Sequence, residues 1–105
     1  MRSKEDIFRM ASEVEDANEV EALLADLNKW LDKEPGDIVL LEHRGALYEK
    51  LQQYSKAIND YKKILEKEPG HKQAVTKIEM LSTILRYTNT DIYASPNTNL
   101  DPWME

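Results

Sequence analysis

The sequence predicts an all-α domain made of helix hairpins stacked in register. Three observations lead there. The chain repeats itself at a fixed offset, since Lys33-Glu34-Pro35-Gly36 recurs as Lys67-Glu68-Pro69-Gly70. A period of this size marks one supersecondary unit stacked on copies of itself. Apolar residues recur at helical spacing between the turns, and no segment shows the alternation of a half-buried strand. The apolar positions ahead of each copy also correspond: Val14 with Tyr48, Val20 with Tyr54, Leu27 with Tyr61, Trp30 with Ile64 and Leu31 with Leu65.

Five helices and a tail follow from these patterns. Ser3 followed by Asp6 forms a capping signal for the first helix, whose core stripe is Ile7, Met10, Ala11 and Val14. Asn18 followed by Glu21 starts the second, with Val20, Leu23, Leu24, Leu27, Trp30 and Leu31 inward. Pro35-Gly36 stops it, because proline cannot continue the ladder and glycine readily takes a left-handed cap. Asp37 can cap the third helix, which carries Leu40, Leu41, Ala46, Leu47, Tyr48 and Leu51. After a break near Gln52-Gln53 comes the fourth, with Tyr54, Ala57, Ile58, Tyr61, Ile64 and Leu65 inward. Pro69-Gly70 ends it, and the fifth runs from about Lys72 to Tyr87. Turns this tight make neighbouring helices antiparallel. Residues 1–88 read as one domain and residues 89–105 as an irregular tail.

Composition narrows the function. The 105 residues have room for one core, and 20 acidic against 14 basic residues give a net charge of −6. That balance argues against nucleic acid, whose binders present a basic face. The acids concentrate early: residues 1–34 hold ten against five bases, an excess that suits a solvated surface or the steering of a basic partner. Without cysteine, neither a disulfide framework nor a thiolate metal site is possible. No HExxH pair, P-loop, GxGxxG or GxSxG occurs, so no cofactor or metal is expected. The N-terminus is polar where a secretion signal would be apolar, and no apolar run is long enough to span a membrane. The cytoplasm is the default location.

Residues 38–71 resemble a tetratricopeptide repeat. Leu41 stands at the large apolar position early in the first helix, and Gly45 at the small position where the two helices cross. Tyr48, Tyr54, Ala57, Tyr61, Leu65 and Pro69 follow at the family's spacings. Residues 4–37 fit a looser copy through Ile7, Ala11, Val14, Val20, Leu31 and Pro35. Leu23 and Trp30 replace alanines there, so the first hairpin should pack wider. Residues 72–87 would be the closing helix. The resemblance implies a short right-handed superhelix with no catalytic role, working as an adaptor whose concave groove takes a protein segment.

Transferred to this chain, the family's groove positions are Phe8, Arg9 and Ser12, then Val39, Glu42, His43, Ala46, Glu49 and Lys50. The closing helix adds Gln73, Thr76, Lys77, Met80, Thr83 and Ile84. Phe8, Ala46, Met80 and Ile84 would make a mildly apolar trough, with Met80, Ile84 and Tyr87 as a second stripe on the fifth helix. The family's clamp for chaperone carboxylate tails needs lysines, asparagines and an arginine. Phe8, Ser12, Val39, His43, Gln73 and Lys77 stand there instead, which excludes that ligand class.

His43, with Glu42 and Glu49 near it, is the one catalytic candidate, and no nucleophile or second ligand accompanies it. Lysines 56, 62, 63, 67, 72 and 77, interleaved with Asp60, Glu66 and Glu68, read as a solvated outer face. The tail carries Ile92, Tyr93, Leu100, Trp103 and Met104, costly residues to leave in water. Tyr93 and Trp103 are its candidate anchors, with three options for the tail: disorder, folding back over Met80 and Ile84, or docking on another chain. The expected partner is therefore a protein or peptide, bound by a monomer or weak homodimer. The competing reading is self-association through the tail or the closing helix. Ala74, Val75, Ile78, Leu81 and Leu85 should dock on Tyr61, Ile64 and Leu65. Ile78→Ala should then cost about 2–5 kcal/mol in denaturant unfolding; a loss below about half a kcal/mol would show that the closing helix is not seated there.

Overall fold

The structure, a computed structural model, describes residues 1–88, and they form five α-helices. These are α1 (Lys4–Glu13), α2 (Ala17–Lys33), α3 (Ile38–Lys50), α4 (Tyr54–Lys67) and α5 (Lys72–Thr88). No strand occurs among the described residues. The fold is all-α, as expected, while the irregular tail at 89–105 lies outside the described residues.

Side chains set where most of the helices begin. The Ser3 hydroxyl accepts from the Asp6 amide at 3.2 Å, and Asp37 Oδ1 from the Leu40 amide at 3.1 Å, both as the sequence indicates. The second helix starts earlier than Asn18. Asp16 is its cap, accepting from the Glu19 amide at 3.3 Å. An ionised carboxylate is the stronger acceptor for a helix N-terminus. His71 takes the cap position of α5, its Nδ1 accepting from the Ala74 amide at 3.1 Å. It lies one full period after Asp37, so the repeat extends to the caps.

The helix ends differ from expectation in one respect. No glycine has a positive φ; the one left-handed residue among those described is Gln52, at φ 59°. Gln52 closes α3 in a Schellman-like turn, where the Gln53 amide donates to the Tyr48 carbonyl at 2.9 Å. After α2 and α4 the proline makes the stop. It pushes the preceding residue out of the helical region, and Glu34 and Glu68 take φ of −133° and −132°. The same tight turn follows in both copies, with the Asp37 amide donating to the Glu34 carbonyl and the His71 amide to the Glu68 carbonyl.

The core repeats with the chain. Ile7 and Leu41, Ala11 and Gly45, Leu23 and Ala57, and Leu27 and Tyr61 are buried in pairs one period apart. Met10, Trp30, Tyr48, Leu51, Tyr54 and Leu65 pack against that core while partly exposed. Two inward assignments are corrected: Ala46 is exposed, and Val75 is 38% exposed. Each lies too far round its helix from the buried stripe to reach the core. On α5 the central place belongs to Ala74 and Leu81, both fully buried, with Ile78 and Leu85 half-buried beside them. Ile78→Ala therefore belongs at the lower end of its range. Packing is most extensive between α3 and α4, followed by α4 and α5. It is sparser between α1 and α2, in line with the looser first hairpin, and α1 also touches α3.

The period carries one further pair. Asp26 and Asp60 are both buried, and each faces an arginine. Asp60 is thus not part of the solvated outer face. Its carboxylate receives Arg44 Nε at 2.9 Å and Nη2 at 2.7 Å, while Arg44 Nη1 reaches Asn28 Oδ1 at 2.9 Å. One planar guanidinium thereby ties α3 to both α4 and α2. The hydrogen bonds that Arg44 donates to Asp60 raise the Arg44 pKa against the opposing effect of burial. At Asp26 the Arg2 guanidinium sits 2.8 Å away. Burial pushes that carboxyl up, but the hydrogen bonds and charge of Arg2 outweigh it and hold the pKa below the ordinary carboxylate value. The pair therefore stabilises the fold above the ordinary carboxylate range, and its contribution is lost as pH falls through the depressed pKa.

The crossing of α3 and α4 is tight at Gly45. A Cβ built there would lie 2.8 Å from Tyr61 Cζ, with both neighbouring ring carbons within 3.2 Å. Alanine would gain roughly 1 kcal/mol of helix propensity, against about 1–3 kcal/mol for overpacking. The ring is anchored at its hydroxyl and cannot swing away, so the clash wins. Gly45→Ala should destabilise the wild type in urea unfolding and stabilise a Tyr61→Leu background; equal effects in both would refute the contact.

Candidate functional site

Contacts between side chains align α1, α3 and α5 along one face, with Arg44 and its partners behind them on α2 and α4. Phe8 of α1 stacks on His43 of α3 with ring centroids 4.1 Å apart and planes 20° from parallel. His43 Nδ1 lies 2.9 Å from the Val39 carbonyl. A carbonyl only accepts, so Nδ1 carries the proton and the ring is fixed one turn up its own helix. Lys50, at the end of α3, donates to the Val14 carbonyl at 2.7 Å and closes the α1 end of the face.

Ion pairs bridge α3 to α5. Glu49 takes the Tyr61 hydroxyl on Oε2 at 2.6 Å and the Lys77 ammonium on Oε1 at 3.1 Å. Glu42 faces His71 Nε2 at 3.2 Å. Since His71 Nδ1 accepts from the Ala74 amide, Nε2 carries the proton that points at Glu42. Burial, then the hydrogen bond to Glu49, raises the Tyr61 pKa well above the usual phenol value, so the hydroxyl remains a donor.

The expected groove residues divide into two sets. Phe8, Glu42, His43, Glu49, Lys50 and Lys77 are drawn into this contact network. Val39 (44% exposed), Met80 (43% exposed) and Ala46 stand clear as its apolar surface. Gln73 and Thr76 are exposed, and Arg9 turns to Asp6 at 3.1 Å. Ser12 and Thr83 bond back to their own helices, at the Arg9 and Glu79 carbonyls. Ile84 is half-buried against the core and belongs less to the open stripe than Met80 and Tyr87 do. The trough is thus apolar patches separated by fixed polar bridges. Tyr93 and Trp103 lie outside the described residues.

Among the described residues, no catalytic arrangement forms around His43. Glu42 is engaged by His71, and Glu49 by Tyr61 and Lys77. Among the described residues, no three His, Asp or Glu side chains gather as a metal would need. Sequence reasoning passed over His71, whose signal was its place one period after the Asp37 cap. Elsewhere a shallow pocket of about 410 Å³ is lined by Pro35, Gly36, Leu41, Lys63, Glu66 and Lys67, sharing no residue with this face.

Antiparallel hairpins repeating at a fixed period, with aligned first helices, define a helical-repeat protein. The family model of the tetratricopeptide repeat matches residues 39–71, which cover α3, α4 and the turn into α5. That segment is similar to the tetratricopeptide repeat, whose members generally mediate protein–protein interactions. No curated protein and no solved structure matches the chain. No helix among the described residues is long and apolar enough to cross a membrane.

Tyr61→Phe should cost about 1–2 kcal/mol by leaving Glu49 short of a donor. A raised folded pKa gives stability that is complete below the unfolded value and is lost as pH rises through the folded one. The gap between wild type and Tyr61→Phe, measured by urea unfolding, should therefore hold to about pH 10 and narrow above it.

Proposed function

We propose that this chain is a non-enzymatic interaction module, an adaptor that takes a protein segment along the face of α1, α3 and α5. The supporting observation is the pairing of exposed apolar residues with preset polar groups on that face. Val39, Ala46 and Met80 remain open, while the Phe8–His43 stack and the Glu49 bridge are already ordered. Side chains fixed before binding lose little entropy on binding, which favours recognition here over a mobile surface. Residues 1–88 act in this reading as one domain, in the cytoplasm, with the tail as an appendage.

Self-association is the second reading, favoured by α5. Among the described helices it packs on α4 alone, with Val75 and Met80 exposed. A monomer whose mass in light scattering does not change with concentration would eliminate it.

A peptide-library screen against the full chain tests the first reading. Val39→Glu and Met80→Glu fall at exposed positions and should leave the fold intact. Each should weaken selected peptides about tenfold or more if those sites anchor the ligand. Peptides insensitive to both, yet lost on altering Lys63 and Lys67, would move the binding surface to the pocket those lysines line.

A further inference from the structure

We propose that the chain's own segment 91–105 folds back onto the face of α1, α3 and α5 and occupies the partner's site in cis. This rests on the reading of that face as the binding surface. The argument begins with charge. The molecule carries a net charge of −6, yet the acids of this face are already engaged: Glu42 by His71, and Glu49 by Lys77 and Tyr61. The cation left over is Lys50. Its ammonium is held by the Val14 carbonyl and meets no carboxylate among the described residues. At contact distance this local balance outweighs the distant surface charge, which salt screens beyond roughly 10 Å. With Glu42 and Glu49 balanced by Lys50 and Lys77, the face does not repel an acidic segment with apolar anchors, and Lys50 offers it one cation.

The chain contains such a segment. Residues 89–105 hold three acids, Asp91, Asp101 and Glu105, and no lysine or arginine. Interleaved with them are Ile92, Tyr93, Leu100, Trp103 and Met104. Attachment supplies the reach. The segment leaves from the end of α5, and α5 carries Met80 eight residues before Thr88, about 12 Å along a helix. Tyr93 lies five residues beyond Thr88, a span of up to about 17 Å when extended, enough to return to Met80. The ten residues from Tyr93 to Trp103 span up to about 34 Å, enough to cross α3 to the Phe8–His43 stack. In this arrangement Tyr93 covers Met80, Trp103 lies on the stack, and a tail carboxylate pairs with Lys50. Tethering makes the encounter intramolecular, so modest contacts suffice. A partner must then displace the tail.

The test uses the full chain labelled with ¹⁵N and methionine [¹³C]methyl, compared with Tyr93→Ala/Trp103→Ala and with Lys50→Gln. The expected result is nuclear Overhauser contacts from the Met80 methyl to the Tyr93 ring, independent of concentration. The Ala46, Lys50 and Met80 signals should move in the double variant and the Met80 signal, to a smaller extent, in Lys50→Gln, while Ile7 and Leu27 stay fixed as folding controls. If the tail fills the face in about nine molecules of ten, the double variant should bind a library peptide about tenfold more tightly. Absence of those contacts, with no shift beyond the substituted residues, overturns the proposal. Contacts that grow with concentration also overturn it, placing the tail on a second copy. Peptides that bind both chains equally without tail contacts would refute the tail and leave the groove reading standing. Tail contacts without peptide binding to either chain would uphold the tail and refute the groove reading.

Discussion

The contact of the Tyr61 ring on bare backbone at Gly45 governs the arrangement of the domain. A glycine mid-helix costs roughly 1 kcal/mol of propensity, and here that cost permits α3 and α4 to cross closely. The ring's far end then delivers its hydroxyl to Glu49, and Glu49 reaches Lys77 on α5. A single close approach thus fixes a hairpin and extends, through one carboxylate, to the helix beyond it. Arg44 works from the other side of α3, joining Asp60 and Asn28. Steric fit sets the separation of the helices, and these directional bonds set their register.

Much of this was legible in the sequence because periodicity records packing. Ile7 with Leu41 and Leu27 with Tyr61 are buried in pairs because each repeat solves the same packing problem. Local chemistry that does not depend on the repeat was harder to read. A carboxylate such as Asp60 resembles any surface acid until its arginine is located, and Arg44 lies on another helix. Gln52 carries no sign of a left-handed backbone, since glycine is the usual marker. The resemblance could name the expected groove positions, but not the pairing of their side chains. Which glutamate meets which cation depends on the axial offset between α3 and α5, which no helical wheel contains.

Net charge leaves the character of the candidate surface open. The acid-rich first third suits a solvated surface or a basic partner, and the acids of the face are engaged within the fold. Lys4 is shared between Glu34 and Asp37 at 2.6 and 3.6 Å, pinning the start of α1 to the turn between α2 and α3. Surface ion pairs of this kind contribute little stability individually. Here their effect is on recognition, because they decide which charges remain for a partner.

The pattern of helix contacts has a consequence for how the molecule forms. Each helix packs on its neighbour in sequence, and α1 on α3 is the most distant pairing among those described. Few long loops must close before packing begins, which places the domain among low-contact-order chains that fold in microseconds to milliseconds. The α3–α4 hairpin, with the most extensive interface and a short closure, is where a nucleus costs least. As the last described helix, with its backbone packed on α4 and the Lys77–Glu49 pair reaching α3, α5 is suited to open and re-close without global unfolding. The element beside the candidate site is thus also the one whose folding is most separable from the rest.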